Sequence, residues 1–302
     1  KHPVQMMIDL KDESGANIPA DTLLRGCEKG VRYSVRIGNV RGLTAKRYTY
    51  EQAAADPQIM KDFASVMHDT SGRNGFVARD SEYCLNLMKA MKDCCDITLV
   101  YYDKAQDMAL EKNRLIERTS LEQLLQQAPQ KKIKGIKNDI EAIDKNTQAY
   151  EIRKKETGQY PDDAKIALAG GLTLRYAGTA SCLFGGTRDL LRNNTRSSHY
   201  LNYLRLCDSI DTGCSYHDLG YVLVESGKPE NDGTLGTLVP KGPFKGIYEF
   251  KKSFGAHTCV FLGEYTAAGS SFRYFIYRRL MPAAKKMRVR LAGMLRKLKH
   301  TA

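Results

Sequence analysis

Residues 104–157 constrain the fold most, because their composition differs from that of the chain on either side. This segment has no glycine before Gly135, one proline, Pro129, and many Glu, Lys and Gln residues. Its apolar residues recur at helical intervals: Leu121, Leu124 and Leu125 before the proline, and Ile133, Ile136, Ile140 and Ile143 after it. We predict two helices divided at Pro129, which pair as an antiparallel coiled-coil hairpin and project from a globular body. A helix pair packed flat on that body is the alternative.

The sequence around this hairpin predicts a mixed α+β domain. The predicted strands cover residues 4–10, 32–37, 97–102, 165–175, 181–184, 258–265 and 272–277, with one more within 214–224. The predicted helices cover residues 57–68, 80–91, 197–210 and 241–255, and the end of the chain. Residues 226–240 are rich in Gly, Asp, Asn and Pro, which predicts a mobile loop. No apolar run reaches the roughly 18 residues that a membrane-spanning helix needs.

Cysteine and histidine usage argues against metal and nucleophile chemistry. The eight cysteines include no CxxC pair, and zinc sites usually need two close pairs of Cys or His ligands. The six histidines are scattered and form no recognisable Ser-His-Asp or Cys-His signature. We predict reduced thiols in a cytosolic protein, with no metal, no cofactor and no covalent catalytic intermediate.

The C-terminal tail carries most of the excess positive charge. The chain has a net charge of +13, and ten basic residues but no acidic one follow Glu264. The tail's apolar residues form one narrow helical stripe, which predicts a basic amphipathic helix. The candidates for contact with tRNA or an anionic membrane surface are Lys285, Lys286, Arg288, Arg290, Arg296 and Lys297. A helix that covers a core, with solvated lysines outside, is the alternative.

A lysine interrupts the apolar face of the predicted helix 241–255. At about 100° per residue, that face consists of Phe244, Ile247, Tyr248, Phe250 and Phe254. Lys251 falls in its middle. A lysine there must extend to solvent, pair with a carboxylate, or face a cleft in which a ligand supplies negative charge. We predict a role for Lys251 at a ligand or a transition state, in preference to an ordinary surface position.

A second candidate site precedes the predicted helix 80–91. Asp80 and Ser81 supply the N-cap, Arg79 comes directly before it, and Tyr83 lies in the first turn. An arginine that reaches over a helix N-terminus suits a phosphate or diphosphate group. Arginines commonly precede helices, so this pattern alone does not identify a site.

Four segments resemble the Fem (FemABX) peptidoglycan aminoacyltransferases, and they follow the family's order along the chain. The strings GIYEFKKSFG at residues 246–255 and FLGEY at 261–265 resemble the family's C-terminal signature. Residues 70–83, TSGRNGFVARDSEY, are similar to its central T-x-x-R-x-G-F…R…Y stretch. Residues 167–186 resemble its strand hairpin with a Gly-rich turn, and residues 216–220 its Tyr-Asp-x-x-Gly segment, here with His217 in place of the tyrosine.

The resemblance implies two acetyltransferase-like (GNAT) domains, with a coiled-coil arm inserted in the second at residues 103–157. Residues 1–14 would end the first domain, most of which would precede Lys1. Residues 15–262 would form the second domain, and residues 263–302 would return to the first. The chain would thus be the larger, C-terminal part of such an enzyme.

The resemblance also implies the reaction and its partners. The enzyme would transfer an amino acid of the Gly, Ala or Ser class from aminoacyl-tRNA to the stem-peptide amine of lipid II or UDP-MurNAc-pentapeptide. It would be cytoplasmic and could lie against the inner membrane leaflet. The product would be an interpeptide bridge of peptidoglycan.

The family motifs assign roles to six residues of this chain. Phe250 and Lys251 correspond to a pair beside the reacting ester, and Arg79 and Tyr83 to residues that hold the precursor's diphosphate. Arg73 and Phe184 are implied to bind substrate as well. The tyrosines that often precede the Gly-rich turn are here Cys182 and Phe184, so a hydroxyl contact is lost.

Aminolysis of an ester needs a free amine, close alignment and groups that stabilise the developing oxyanion, which would be the task of Lys251. Two alternatives remain. One is a non-catalytic tRNA- or membrane-binding module with a GNAT-like core. The other is a GNAT-like acyltransferase with a different donor, such as acyl-CoA. The sequence shows no clear strand followed by a Gly-rich pyrophosphate loop that opens a helix, which disfavours the acyl-CoA donor.

Overall fold

The computed structural model describes residues 2–225, 239–240, 242, 244–260, 269–284 and 287–288. The strands are β1 His2–Asp9, β2 Leu43–Tyr48, β3 Cys95–Asp103, β4 Lys165–Tyr176, β5 Thr179–Thr187, β6 Tyr216–Glu225, β7 Val239–Pro240 and β8 His257–Cys259. They form one sheet in the order β2-β3-β4-β5-β6-β1-β8, and β7 pairs with β6. Neighbouring strands run antiparallel except β5 and β6, which are parallel.

Helices occupy most of the connections. They are α1 Ala20–Gly26, α2 Lys29–Val40, α3 Tyr50–Ala55, α4 Pro57–Asn74, α5 Ser81–Met91, α6 Lys104–Gln127, α7 Gln130–Glu156, α8 Arg192–Thr195, α9 Ser197–Asp211, α10 Phe244–Lys252 and α11 Ser271–Phe275. Lys92–Cys94 forms a 3-10 turn, and the π-helical turn Ile276–Leu280 follows α11. The chain divides into two units, Lys1–Val260 and Phe261–Ala302, and α11 belongs to the second.

The sheet separates two hydrophobic cores. Every residue of β3 is buried, and successive side chains point to opposite faces. Val100 and Tyr102 pack in the core that includes residues of α2 and α9, whereas Leu99 and Tyr101 pack in the core that includes residues of α4 and α5. A strand that is buried on both faces has a nearly continuous run of apolar residues in its sequence, which explains why β3 could be predicted.

Most predicted elements are present, and local signals account for their ends. Asp56 caps α4 by accepting a hydrogen bond from the Gln58 N–H at 2.9 Å, and α4 ends at Gly75 with a φ of 69°. Asp80 caps α5 through the Tyr83 N–H at 2.7 Å. Residues 165–175 and 181–184 lie in the antiparallel strands β4 and β5, as predicted.

Two predicted strands are wrong. Residues 32–37 lie within α2, whose buried residues Val31, Ser34, Val35 and Gly38 follow the helical period instead of alternating. Residues 272–277 have strand-like aromatic composition, but they belong to α11 and the helical turn after it. Ser270 begins that helix by accepting a hydrogen bond from the Arg273 N–H.

Two further predictions reach beyond the described residues. The predicted loop 226–240 lies outside them except for its last two residues, which form β7. Of the predicted strand 258–265, the structure describes residues 258–260, and β8 covers the first two of them.

The two helices predicted on either side of Pro129 are present as α6 and α7. Arg118 on α6 forms an ion pair with Asp144 on α7 at 2.7 Å, and Glu111 accepts a hydrogen bond from the Thr147 hydroxyl at 2.6 Å. The buried residues of α6 are confined to its first third, Lys104, Asp107 and Glu111.

Within the part of the chain that the structure describes, no helix has the length and apolarity to cross a membrane.

Candidate functional site

Two pairs of glycines leave a gap in the side chains of the sheet where β4 meets β5. Gly170 pairs with Gly186, and Gly171 pairs with Gly185. Cross-strand partners share a face, so the two pairs open toward opposite sides of the sheet. A Cβ atom on Gly186 would lie 2.4 Å from Thr70 Oγ1, which belongs to α4, so that side is already filled.

The other side of this gap holds a buried arginine from α9. Arg205 is 3 % exposed, and its guanidinium lies against Gly171, where an added Cβ would lie 2.6 Å from Nη1. Its Nε donates a hydrogen bond to Thr173 Oγ1 at 2.8 Å, and its Nη2 donates one to the Leu172 carbonyl at 2.8 Å. Both acceptors are neutral.

A cavity opens beside the glycines, where β5 and β6 separate. The parallel pairing of these strands runs only from Thr179 opposite Tyr216 to Ser181 opposite Asp218. The next residue of β5, Cys182, lines a cavity of about 300 Å³. Three cationic residues from three helices also line it: Arg73 of α4, Arg205 of α9 and Lys251 of α10. The cavity therefore favours a ligand that carries negative charge.

Lys251 lies in this cavity with its amine against the backbone of β6. Its Nζ donates a hydrogen bond to the Tyr221 carbonyl at 3.0 Å. Gly220 has a φ of 87°, and an added Cβ there would lie 3.5 Å from that Nζ. Burial lowers the pKa of Lys251 to about 8, against the opposing effects of Cys182 and Asp218. A lysine with this pKa is cationic at neutral pH and can lose its proton at slightly higher pH.

Phe250 anchors α10 next to Lys251. Its ring centroid lies 4.9 Å from that of His199 on α9 and 5.3 Å from that of Phe254, both in edge-on geometry. Such aromatic contacts stabilise the packing of α10 on α9. Phe250 also lines the cavity, so the structure brings it together with Lys251 at one site.

Arg73 joins the same cavity but is tied to the protein. It forms an ion pair with the Asp189 carboxylate, and its Nη1 donates a hydrogen bond to the Thr187 carbonyl at 3.3 Å. Its charge is therefore paired with that of Asp189, whereas Arg205 has no ion pair with a described residue.

Arg79, Tyr83 and Phe184 form a separate group on α5 and β5. The Arg79 guanidinium carbon lies 4.8 Å from the centroid of the Tyr83 ring, a cation–π contact. The Tyr83 ring packs edge-on against Phe184 with centroids 6.3 Å apart. None of the three is among the residues that line the cavity around Lys251. Tyr83 is 43 % exposed, so the group is open to solvent.

A Cys-His pair at the cavity wall, formed by Cys182 and His217, lacks the properties of a nucleophile. His217 is fully buried, with Nδ1 2.8 Å from Ser209 Oγ and Nε2 3.4 Å from Cys182 Sγ. Burial, together with the positive charges of Arg205 and Arg175, lowers the pKa of His217 to about 3. Burial also raises the pKa of Cys182. A protonated thiol beside a neutral imidazole has little nucleophilic reactivity, because the thiolate is the reactive form.

Comparison with known proteins identifies the family of this chain. The FemAB family model matches residues 4–281. The chain belongs to the FemAB family. Similar curated proteins include the lipid II:glycine glycyltransferases of Staphylococcus aureus strains bovine RF122 / ET3-1 and USA300, each 26 % identical over 295 residues. The matches cover 93 % of this chain and 63 % of each relative, so the chain spans less than two thirds of their length.

A solved structure supports the same fold for this FemAB-family chain. The crystal structure of FemX is similar with a TM-score of 0.60 and 22 % sequence identity, over 86 % of this chain and 60 % of that one. At this identity, the likeness concerns the fold alone.

The basic tail of this FemAB-family chain is only partly described. Arg288 is helical and exposed. The other five candidates for tRNA or membrane contact lie outside the described residues: Lys285, Lys286, Arg290, Arg296 and Lys297.

Arg205 was not predicted from the sequence, although, like Lys251, it is a charged residue among apolar or buried neighbours on one face of a helix. Arg205 follows Leu201 by four residues and precedes Ser209 by four, so it shares their helix face, and both neighbours are buried. A charged residue on a buried helix face needs an explanation.

Proposed function

We propose that this FemAB-family chain takes part in transferring an amino acid of the Gly, Ala or Ser class from aminoacyl-tRNA to a stem-peptide amine. The acceptor is lipid II or UDP-MurNAc-pentapeptide, and the product is a bridge residue of peptidoglycan. The observation that carries this proposal is the placement of Lys251 in a cationic cavity. The names of its relatives favour lipid II as the acceptor and glycine as the amino acid.

Lys251 stabilises negative charge on the reacting ester. When the amine attacks the ester carbonyl, charge develops on an oxygen, and a nearby ammonium stabilises that charge most where water is excluded. Phe250 holds α10 in place and offers an aromatic wall to the ester. No covalent enzyme intermediate is needed, which is consistent with the unreactive pair of Cys182 and His217.

The group Arg79, Tyr83 and Phe184 binds the diphosphate of the acceptor, with Arg73 contributing to substrate binding at the cavity. The exposed stack of arginine on tyrosine leaves the guanidinium edge available to phosphate oxygens. The lipid-linked and nucleotide-linked acceptors share this diphosphate, so the group serves either.

The surrounding architecture follows the family pattern. Residues 15–262 form a GNAT-like domain in which residues 103–157 are a coiled-coil arm, residues 1–14 end a first such domain, and residues 263–302 return to it. The arm and the basic tail contact tRNA or the anionic leaflet that holds lipid II, so the enzyme is cytoplasmic and peripheral at the membrane.

The decisive experiment combines the protein with charged tRNAs and lipid II and measures the mass of the product. We expect a mass increase of one amino-acid residue on the acceptor. The variant Lys251→Met should stay folded and lose about 10²–10³-fold in transfer rate, as expected when one oxyanion-stabilising group is removed. Near-normal turnover by this variant would refute the role of Lys251.

The same assay addresses the alternatives. Salt-sensitive tRNA binding without transfer to any acceptor would indicate a non-catalytic module. Competition by CoA but not by tRNA would indicate a different acyl donor.

A further inference from the structure

Arg205 carries a buried charge for which the described structure offers no counterion. Removing a guanidinium charge from water is costly unless an opposite charge compensates it. Its two hydrogen bonds go to a hydroxyl and a backbone carbonyl. Among the described residues, no carboxylate lies within ion-pair distance of Arg205.

One nitrogen of this guanidinium remains for a ligand. Nε and Nη2 are engaged with Thr173 and Leu172, whereas Nη1 makes no hydrogen bond to any described residue. Arg205 lines the cavity, and a Cβ atom on Gly185 would lie only 3.5 Å from Nη1. The glycine keeps the space in front of Nη1 clear.

The cavity around this nitrogen fits the end of a peptide. Next to Arg205 the cavity is bounded by the sheet backbone, because a Cβ atom on Gly171 of β4 would lie 2.6 Å from Nη1. A group that ends at this guanidinium, such as a chain terminus, fits against the backbone more readily than a phosphodiester, which continues in two directions. Part of the lining is apolar, with Leu201, Leu219 and Ile247, and suits small side chains next to a terminal carboxylate.

We propose that Arg205 binds the C-terminal carboxylate of the acceptor's stem peptide through Nη1 and thereby positions the acceptor amine near Lys251. This inference rests on the proposed function, since it takes the acceptor to be a peptide. It adds a further substrate contact to the cavity, beside those proposed for Lys251, Phe250 and Arg73.

The test compares the binding of two peptides to the chain in the absence of tRNA. One is Nα-acetyl-Lys-d-Ala-d-Ala with a free C-terminal carboxylate, and the other is the same peptide as its C-terminal carboxamide. A hydrogen bond to a charged group is worth enough that we expect the carboxylate form to bind about 10- to 100-fold more tightly. The variant Arg205→Met should bind both forms equally. Arg188→Gln, at an arginine that does not line the cavity, is the matched control and should keep the preference.

A second variant tests the proposal independently of whether Arg205→Met folds. Gly185→Ala retains Arg205 and places a methyl group in ordinary contact with Nη1, where the carboxylate oxygen would bind. We expect it to keep the native circular dichroism spectrum and to lose the preference for the carboxylate.

Three outcomes would overturn the proposal. The first is equal binding of both peptide forms by the native chain. The second is an undiminished carboxylate preference in Arg205→Met or Gly185→Ala. The third is that Arg205→Met keeps its binding of the peptide but loses binding of a CCA trinucleotide. The last would assign Arg205 to the nucleic-acid donor. Failure of the proposed function would differ from these, since it would appear as an intact carboxylate preference without amino-acid transfer to lipid II.

Discussion

Two buried arginines in this protein have opposite surroundings. Arg153, on α7, is fully buried, and its Nε and Nη2 donate hydrogen bonds to the Asp107 carboxylate at 2.6 and 2.9 Å. Its Nη1 donates to Asn194 Oδ1 at 2.8 Å, so every guanidinium nitrogen has an acceptor and the charge has a counterion. Arg205 is buried to nearly the same extent, but among the described residues it has two neutral acceptors and leaves one nitrogen unused.

This difference separates a structural arginine from a binding one. The pair of Arg153 and Asp107 joins α7 to α6 near their bases, and the Tyr102 hydroxyl donates a further hydrogen bond to Asp107 at 2.8 Å. Such a network is complete without a ligand. The described residues leave the surroundings of Arg205 incomplete, and an anion in the cavity would complete them, which is why burial alone does not tell the two roles apart.

The largest expected effect on stability comes from replacing Arg153, the arginine whose charge is paired with a carboxylate. Arg153→Met removes the two charged hydrogen bonds to the buried Asp107 carboxylate and leaves it only the longer ion pair with Arg114 at 3.6 Å, and breaking a buried pair typically costs about 3–5 kcal/mol. We expect urea denaturation to show a loss of that size in the free energy of unfolding. A loss below about 1 kcal/mol would show that the network contributes little to stability.

The glycine next to Arg205 should give the next largest effect. In Gly171→Ala the new methyl group would lie 2.6 Å from Nη1, so the guanidinium must move, at a cost of about 1–3 kcal/mol in the free energy of unfolding. Gly170→Ala is the matched control, because its Cβ would lie 2.7 Å from Leu99 on the other face of the sheet. Both variants should lose stability in urea denaturation, whereas only Gly171→Ala should lose the peptide-carboxylate preference. Loss of that preference in both would mean that the whole sheet, and not Arg205, had been disturbed.

Replacing Arg205, which has no ion pair with a described residue, should affect stability less than replacing Arg153. Arg205→Met loses two hydrogen bonds of about 1 kcal/mol each, but it also removes a buried charge that no carboxylate among the described residues neutralises. We expect the free energy of unfolding to fall by less than about 2 kcal/mol. A loss as large as that of Arg153→Met would contradict the contrast between the two sites and would indicate a structural role for Arg205.

The sequence predicted the parts of this architecture that depend on local patterns. The helices around Pro129, the capped helix after Asp80 and the apolar strand β3 each follow from residues close together in the chain. Residues 32–37 and 272–277 were misread because short runs fit both periods, and packing decides between them. The position of Lys251 at a cleft followed from the pattern of its own helix, whereas its role stays a prediction.

Arg205 and the cavity were harder to predict because they depend on distant segments. The space for the guanidinium comes from Gly171 and Gly185 on two strands, and Arg205 itself belongs to a helix further along the chain. The sequence shows both glycine pairs, but only the register of β4 and β5 places Gly171 opposite Gly185. Separation of β5 from β6 beyond Ser181 is likewise a property of the folded sheet.

Lys251 differs from the two arginines because it can lose its charge near neutral pH, so its role can be tested by the pH dependence of the reaction. If its ammonium stabilises the oxyanion, the transfer rate depends on a protonated Lys251 and on a deprotonated acceptor amine, whose ordinary pKa is about 10.4. Because the pKa of Lys251 is about 8, the rate should rise with pH and level off near pH 8, where the loss of the ammonium offsets the gain in free amine. In Lys251→Arg the charge persists, so the rate should change less than about tenfold below pH 8 and continue to rise above it. The measurement is the pH dependence of transfer for both proteins. Complete loss of activity in Lys251→Arg would argue that Lys251 acts as a base, since arginine cannot accept a proton in this range.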